Sequence, residues 1–160
     1  MRRLAQPTDI QSVFSIYSHP AVVPYLLYEP MGLQAFVPIF EELARSGSFW
    51  VWESDGRIAG FYRASRLPGR VHHVVQLGTL AVDPDIHGRG LGRAMVEDAI
   101  QHFRTEGIRR VELYAESDNQ VALAFYKRLG FVHEGTLKGF YKRAHENHYV
   151  DEHVLGMLLA

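Results

Sequence analysis

Residues 87–92, read as His87-Gly88-Arg89-Gly90-Leu91-Gly92, hold the clearest chemical signal in this chain. Three alternating glycines stand between a β-prone run and a segment whose Leu91, Met95, Ala99 and Phe103 lie four apart on one helical face. The first N–H groups of a helix have no intrahelical partner, and its dipole places positive potential there, so the turn can bind an anion. Glycine lets the anion's oxygens come close to the backbone. Arg89 and Arg93 add cations beside the turn, which suits a phosphate or pyrophosphate better than a lone carboxylate. A tight connection with no ligand is the plainer alternative, but three glycines exceed what a bare turn requires. The spacing is not G-x-G-x-x-G, and no Gly-Lys pair follows, so dinucleotide and P-loop readings are disfavoured.

Other chemistries are excluded or weakened by composition. There is no cysteine, hence no disulfide framework, thiolate nucleophile or thiolate metal site, and a reducing compartment, the cytoplasm, is expected. Nine histidines invite metal or base readings, yet His72-His73 and His145, His148 and His153 lack a companion carboxylate at ligand spacing. No metal is therefore expected. Seventeen Lys plus Arg against eighteen Asp plus Glu leave a net charge of −1, which gives no bulk attraction to nucleic acid or an anionic membrane. No run approaches the roughly 18 apolar residues of a membrane span, and MRRLAQPTDI has no apolar stretch behind its arginines, so neither a span nor a secretion signal is expected. With 160 residues, 47% hydrophobic and 22% charged, the chain reads as one globular domain over 1–160.

The elements that must position the turn follow from periodicity and from Gly, Pro and Asp punctuation. Ile10, Val13, Phe14, Ile16 and Tyr17 have helical spacing after Pro7-Thr8-Asp9. Ala21 to Gly32 reads as a packed loop with one short turn, and Leu33 to Arg45 as a second helix. Phe49–Glu53 and Ile58–Ser65 flank Asp55-Gly56, a hairpin signal. His73–Val82 is a long strand interrupted by Gly78, which supports a bulge or splay. The third helix closes at Gly107; Arg110–Ala115 is a half-buried strand; Asn119–Leu129 is a helix capped by Asp118 and ended by Gly130. Phe131–Thr136 and His148–Leu158 are the last strands. The order is β-α-α-β-β-β-α-β-α-β-β, an α/β (α+β) architecture with a mixed sheet.

At this point the chain resembles the GCN5-related N-acetyltransferases, whose acyl-CoA signature Q/R-x-x-G-x-G/A opens the central helix. His87 takes the place of the usual Gln or Arg; the two glycines fit. A second motif, N-x-x-A-x-x-x-Y-x-x-x-G-F, is matched by Asn119, Ala122, Tyr126, Gly130 and Phe131. HPAVVPYLLYEP and HYVDEHVLGML look like the bacterial branch of L-amino-acid N-acetyltransferases, though a packed loop and a final core strand account for them equally well. The resemblance implies a mostly antiparallel, twisted sheet of about six or seven strands with about four helices on both faces and splayed central strands. It implies acetyl-CoA as co-substrate, held by Leu80, Ala81 and Val82 along its pantetheine arm, by His87 to Arg93 at the pyrophosphate, and by Asn119 and Tyr126. Leu80 would offer its amide to the oxyanion, and Tyr126 would act as general acid toward the departing thiolate. Homodimers are common for this architecture, and the aromatic hairpin and last strands offer surfaces for one.

The expected activity is acetyl transfer to the primary amine of a small molecule, an amino acid or amino-acid derivative first. A protein N-terminus, polyamine or antibiotic is the rival acceptor, and a non-catalytic acyl-CoA-binding module the rival class. The strand before the turn holds no carboxylate, so the general base is open among His73, Gln76, Glu116 and a water chain. The acceptor pocket is expected among Val22–Tyr28, Phe61 and Tyr149, with Arg63 or Arg143 available to pair with a carboxylate, or merely solvated.

Overall fold

The computed structural model describes residues 1–86 and 88–160; the expectation placed on His87 lies outside the described residues. Strands β1 (Arg2–Leu4), β2 (Phe49–Ser54), β3 (Arg57–Arg66), β4 (Val74–Val82), β5 (Arg110–Glu116), β6 (Val132–Tyr141) and β7 (Val150–Leu158) form one mixed sheet in the order β1-β2-β3-β4-β5-β7-β6. Helices α1 (Ile10–Tyr17), α2 (Leu33–Arg45), α3 (Leu91–Thr105) and α4 (Gln120–Leu129) complete the order read from sequence. Among the described residues no helix is long and apolar enough to cross a membrane. Two compact units divide the chain, and β4 and α3 each pass from one to the other.

The first unit comprises Met1–Ser65 and Gly78–Ala99. Its β2–β3 hairpin turns at Asp55 (φ 52°) and Gly56 (φ 74°), the paired left-handed residues that an Asp-Gly turn supplies. Alternate residues of the strands and the apolar stripes of α1 and α2 meet in an aromatic core of Tyr17, Phe36, Phe40, Phe49 and Phe61, with ring centroids 4.7–6.4 Å apart. The Ala21–Gly32 loop carries one short helical turn, Val23–Tyr25, whose Val23, like Leu26 just after it, is buried. Gly60 sits against the end of β4: a Cβ there would stand 2.7 Å from the Ala81 carbonyl oxygen. Only glycine lets β3 approach β4 this closely.

The second unit comprises Arg66–Leu77 and Ile100–Ala160. The first half of β4 runs parallel to β5, with Val74–Leu77 opposite Arg110–Leu113, and β7 pairs antiparallel with both β5 and β6. Gly107 (φ 73°) ends α3 and Gly130 (φ 98°) ends α4; each is followed by an N–H that reaches back to the last turn, Ile108 to Phe103 and Phe131 to Tyr126. Two expectations change here. The N-cap of α4 is Asn119, whose Oδ1 accepts the Ala122 N–H at 3.2 Å, because Asp118 is drawn away to Arg143 at 2.8 and 3.1 Å. And β6 runs on past Thr136 to Tyr141, carried by a contact no local pattern announces: the Asp151 carboxylate accepts the Gly139 N–H and the Lys138 ammonium, both at 2.8 Å.

Candidate active site

In the first unit, the end of β4 is deformed. Thr79 has φ 44°, left-handed backbone that a β-branched residue adopts only under strain, so the backbone irregularity lies one residue beyond Gly78, the expected place of a bulge or splay. Leu80, Ala81 and Val82 follow, then a short helical turn at Pro84–Ile86. Gly88 (φ 83°) and Gly90 (φ 70°) are both left-handed, and among the described residues, apart from its chain neighbours, neither would bring a Cβ within 4 Å of any atom. Among the described residues, space is therefore open beside these two glycines. Helix α3 starts here, its first bond running from the Ala94 N–H to the Gly90 carbonyl at 3.0 Å, so the amides of Leu91, Gly92 and Arg93 precede any intrahelical partner. Arg89 faces Asp55 at 3.6 Å and Arg93 faces Glu97 at 2.8 Å; all four side chains are exposed. Such pairs are weak enough to be exchanged for a bound anion. The residues present fit a pyrophosphate.

In the second unit, a buried polar group has formed around Tyr126. Its ring packs between Phe125 and Phe131 at 5.3 and 5.6 Å, and the residue is 8% exposed. Burial first, then the Glu116 charge, push its hydroxyl above the ordinary tyrosine value, so it stays protonated well above neutral pH. Glu116, 6% exposed at the end of β5, is raised to about 7 by burial and by the Glu152 carboxylate; an N–H, the Asn119 side chain and the Arg143 charge pull the other way. Glu152 lies directly opposite Glu116 on β7, and burial raises it too.

The open candidates for the base separate along β5. The His73 carbonyl accepts N–H bonds from Arg109 and Arg110, which places His73 at the opening end of the β4–β5 ladder, and Gln76 stands opposite Glu112. From Arg110 to Glu116 the strand advances about 3.3 Å per residue, roughly 20 Å in all. Glu116 is the one of the three that acts on Tyr126. Other expectations are corrected. The Phe61 side chain is fully buried in the aromatic core, so only its strand neighbours are left for a pocket wall there, while Tyr149 is exposed. Arg143, 6% exposed, already bonds Asp118 and Glu146 and covers the Tyr141 ring, so it has no free charge for a substrate carboxylate; Arg63 is exposed on β3. Sequence reading missed Thr79, which gives no signal, and Glu152, whose strand alternation places it on the Val150 and Val154 face. His133, Thr136 and His153 form a hydrogen-bonded chain at 3.1 Å steps; among the described residues no group of three or more His, Cys, Asp or Glu is arranged to hold a metal.

Both the sequence and the fold have counterparts among known proteins. A 97-residue stretch is 37% identical to an N-acetyltransferase of Methanocaldococcus jannaschii, covering 58% of this chain and 42% of that protein. A 106-residue stretch is 34% identical to a mycothiol acetyltransferase of Geodermatophilus obscurus, covering 65% of this chain and 33% of that protein. The match thus spans less than half the length of these relatives. Among solved structures, the ribosomal-protein-alanine N-acetyltransferase of Brucella melitensis superposes with a TM-score of 0.79 at 21% identity, over 99% of both chains. A Salmonella typhimurium protein solved with its cofactor acetyl-CoA superposes at 0.77 with 19% identity, over 100% of this chain and 94% of that one. At these identities the structures establish the fold. Residues 10–131, which contain the glycine turn and Tyr126, match the acetyltransferase (GNAT) family, and the chain belongs to that family.

Proposed function

We propose that residues 1–160 act as a single acetyltransferase domain that moves the acetyl group of acetyl-CoA to the primary amine of a small molecule, an amino acid or amino-acid derivative. The observation that carries this reading is the pair of left-handed glycines, Gly88 and Gly90, opening α3 with no described atom beyond their chain neighbours where their side chains would stand. Their turn, with the amides of Leu91, Gly92 and Arg93 and the cations of Arg89 and Arg93, is assigned the pyrophosphate. Leu80, Ala81 and Val82 are assigned the pantetheine arm, with the Leu80 amide facing the oxyanion. Asn119, already spent on capping α4, is assigned a pantetheine amide through what remains of its hydrogen-bonding capacity.

Tyr126 gives its proton to the departing thiolate, a role supported by a hydroxyl that stays protonated in its buried setting. Glu116 takes the proton of the incoming amine; a carboxylate raised to about 7 beside Tyr126 is suited to that exchange near neutral pH. The relatives' names differ in acceptor, and the amino-acid reading follows the likeness of HPAVVPYLLYEP and HYVDEHVLGML to the L-amino-acid N-acetyltransferases. A small soluble amine acted on in the cytoplasm, with no nucleic acid, membrane or metal, and a homodimeric assembly complete the proposal.

Calorimetry with acetyl-CoA, followed by release of free CoA against a panel of amines, amino acids and peptides, tests it. The expected result is tight binding and turnover with small amines. Absence of acetyl-CoA binding overturns the reading; binding without release across the panel favours the non-catalytic module.

A further inference from the structure

Glu116 and Glu152 are an unusual pair. The Ser117 N–H bonds the Asp151 carbonyl and the Leu159 N–H bonds the Arg109 carbonyl, both at 2.8 Å, so the odd positions of β5 form the hydrogen-bonded pairs with β7. Glu116 and Glu152 therefore face each other at a non-hydrogen-bonded position, where Cα atoms stand about 4.5 Å apart and side chains are closest. Like charges directly opposite destabilise a sheet even on its surface. Here both side chains are more than nine-tenths buried, and among the described residues Oε2 of Glu152 has no hydrogen-bond partner. Folding alone gives no reason to keep such a pair.

The surroundings do not neutralise it. Among the described residues Arg143 is the cation that acts on Glu116, and its single charge is already set against Asp118 and Glu146. His145 and His148 are exposed beside Glu146. From α4, Tyr126 offers a protonated hydroxyl and Asn119 a neutral amide. A divalent metal would want a further ligand, and among the described residues no third acidic or imidazole group joins the two. What the pair lacks is one monovalent cation with several N–H donors.

We propose that Glu116 and Glu152 together form the site that receives the acceptor's ammonium group, and that this site selects primary amines carrying no carboxylate beside the nitrogen. The proposal rests on the acetyl-transfer reading; of its acceptors it keeps the amines and amino-acid derivatives without that carboxylate and sets free amino acids aside. An α-carboxylate would be brought against two buried carboxylates with Arg143 already committed, whereas an amide or a hydrogen in its place adds no charge. The proton ledger closes. R–NH3+ gives one proton to Glu116 and becomes R–NH2; its nitrogen bonds the thioester carbonyl carbon, and the C–S bond breaks. The nitrogen loses a second proton, which offsets the one Tyr126 supplies to the thiolate. Products are the N-acetyl amide, CoA–SH and one released proton.

The test compares 2-phenylethylamine, L-phenylalaninamide and L-phenylalanine, which share a ring and differ only beside the nitrogen, with wild type, Glu152→Gln and Glu152→Leu. CoA release gives kcat and KM; calorimetry gives amine binding with and without coenzyme, and acetyl-CoA binding separately. The expected result is kcat/KM about tenfold or more higher for the amine and the amide than for the amino acid. Glu152→Gln should raise KM for the amine several-fold and leave acetyl-CoA affinity within about twofold, while melting above wild type because an orphaned carboxylate is gone. Equal use of L-phenylalanine, or an unchanged amine KM in both variants, overturns the cation site. So does acetyl-CoA binding with no amine bound or used. Failure of acetyl-CoA to bind overturns the parent reading instead, and amine calorimetry without coenzyme still judges the pair. If neither variant folds, the substrate ranking of the wild type decides.

Discussion

The glycine turn at 88–93 and the carboxylate–tyrosine group around Glu116 solve opposite problems. The turn is exposed, made of backbone, and has its conformation set by two residues without side chains. The second group is buried, made of side chains from β5, β7 and α4, and holds titratable groups displaced from their ordinary values. Anion binding by amides needs geometry alone, since an N–H carries its partial charge at every pH. Proton transfer needs groups whose protonation can change near pH 7, and burial is what moves a carboxylate there. The two regions should therefore fail differently: changes in the turn through acetyl-CoA affinity, changes in the buried group through turnover and pH dependence.

The widest separation is expected at Tyr126. Tyr126→Phe keeps the ring between Phe125 and Phe131 and removes only the hydroxyl, so kcat should fall about 100-fold or more while acetyl-CoA affinity by calorimetry stays within about twofold. Wild-type kcat in that variant would break the comparison. Glu116→Gln comes next. In wild type kcat/KM should rise with pH through about 7, as Glu116 loses its proton, and in the variant the profile should flatten at a level about 100-fold lower. Stability should move in the opposite sense. The folded-state value lies above the ordinary glutamate value of 4.5, so the folded protein holds a proton that the unfolded chain has released; this contribution is complete below 4.5 and lost as pH rises through about 7. Thermal melts between pH 5 and pH 8 should accordingly show a smaller decline in Glu116→Gln than in wild type.

The same division decides how much could be read from the sequence. Asp55-Gly56, Gly107, Gly130 and the Gly88–Gly90 turn are local backbone events in which residue type dictates φ, and each was legible. Thr79 was not, because a β-branched residue at φ 44° runs against its own propensity and is held there by its surroundings. The far half of β6 depends on Asp151 reaching across from β7, a contact no window along the chain contains. Phe61 and Arg143 were legible as an aromatic and a cation but not as already spent, one on the core and the other on Asp118 and Glu146. Glu116 could be named from its position at the end of a strand; that Glu152 faces it, and that both are buried, required the β5–β7 register.

Smaller effects sharpen the account of the turn. Gly90→Ala places a methyl group where it meets no described atom beyond its chain neighbours, but it forces alanine into left-handed backbone at about 1–2 kcal/mol. If binding fixes that conformation, acetyl-CoA affinity should fall about tenfold with kcat at saturation unchanged. Gly60→Ala is the contrasting case: its methyl would meet the Ala81 carbonyl oxygen at 2.7 Å, so stability in denaturant should fall by about 1–3 kcal/mol.

The smallest change is expected for Arg89→Ala. Its guanidinium faces Asp55 at 3.6 Å with both side chains exposed, a pair that contributes no more than about 0.5 kcal/mol to the fold, so the melting temperature should scarcely move. When an anion arrives, the same guanidinium can leave Asp55 for the phosphate, and removing it should weaken acetyl-CoA binding a few-fold at low salt. That deficit should shrink toward nothing as ionic strength rises, because an exposed charge is screened over about 10 Å at 0.1 M salt, whereas amide donors held against the anion are screened far less. Titrating wild type and Arg89→Ala across salt concentrations separates the two contributions. Converging affinities would show the backbone holding the pyrophosphate; a gap that persists at high salt would assign the grip to the side chain and remove the contrast on which the glycine predictions stand.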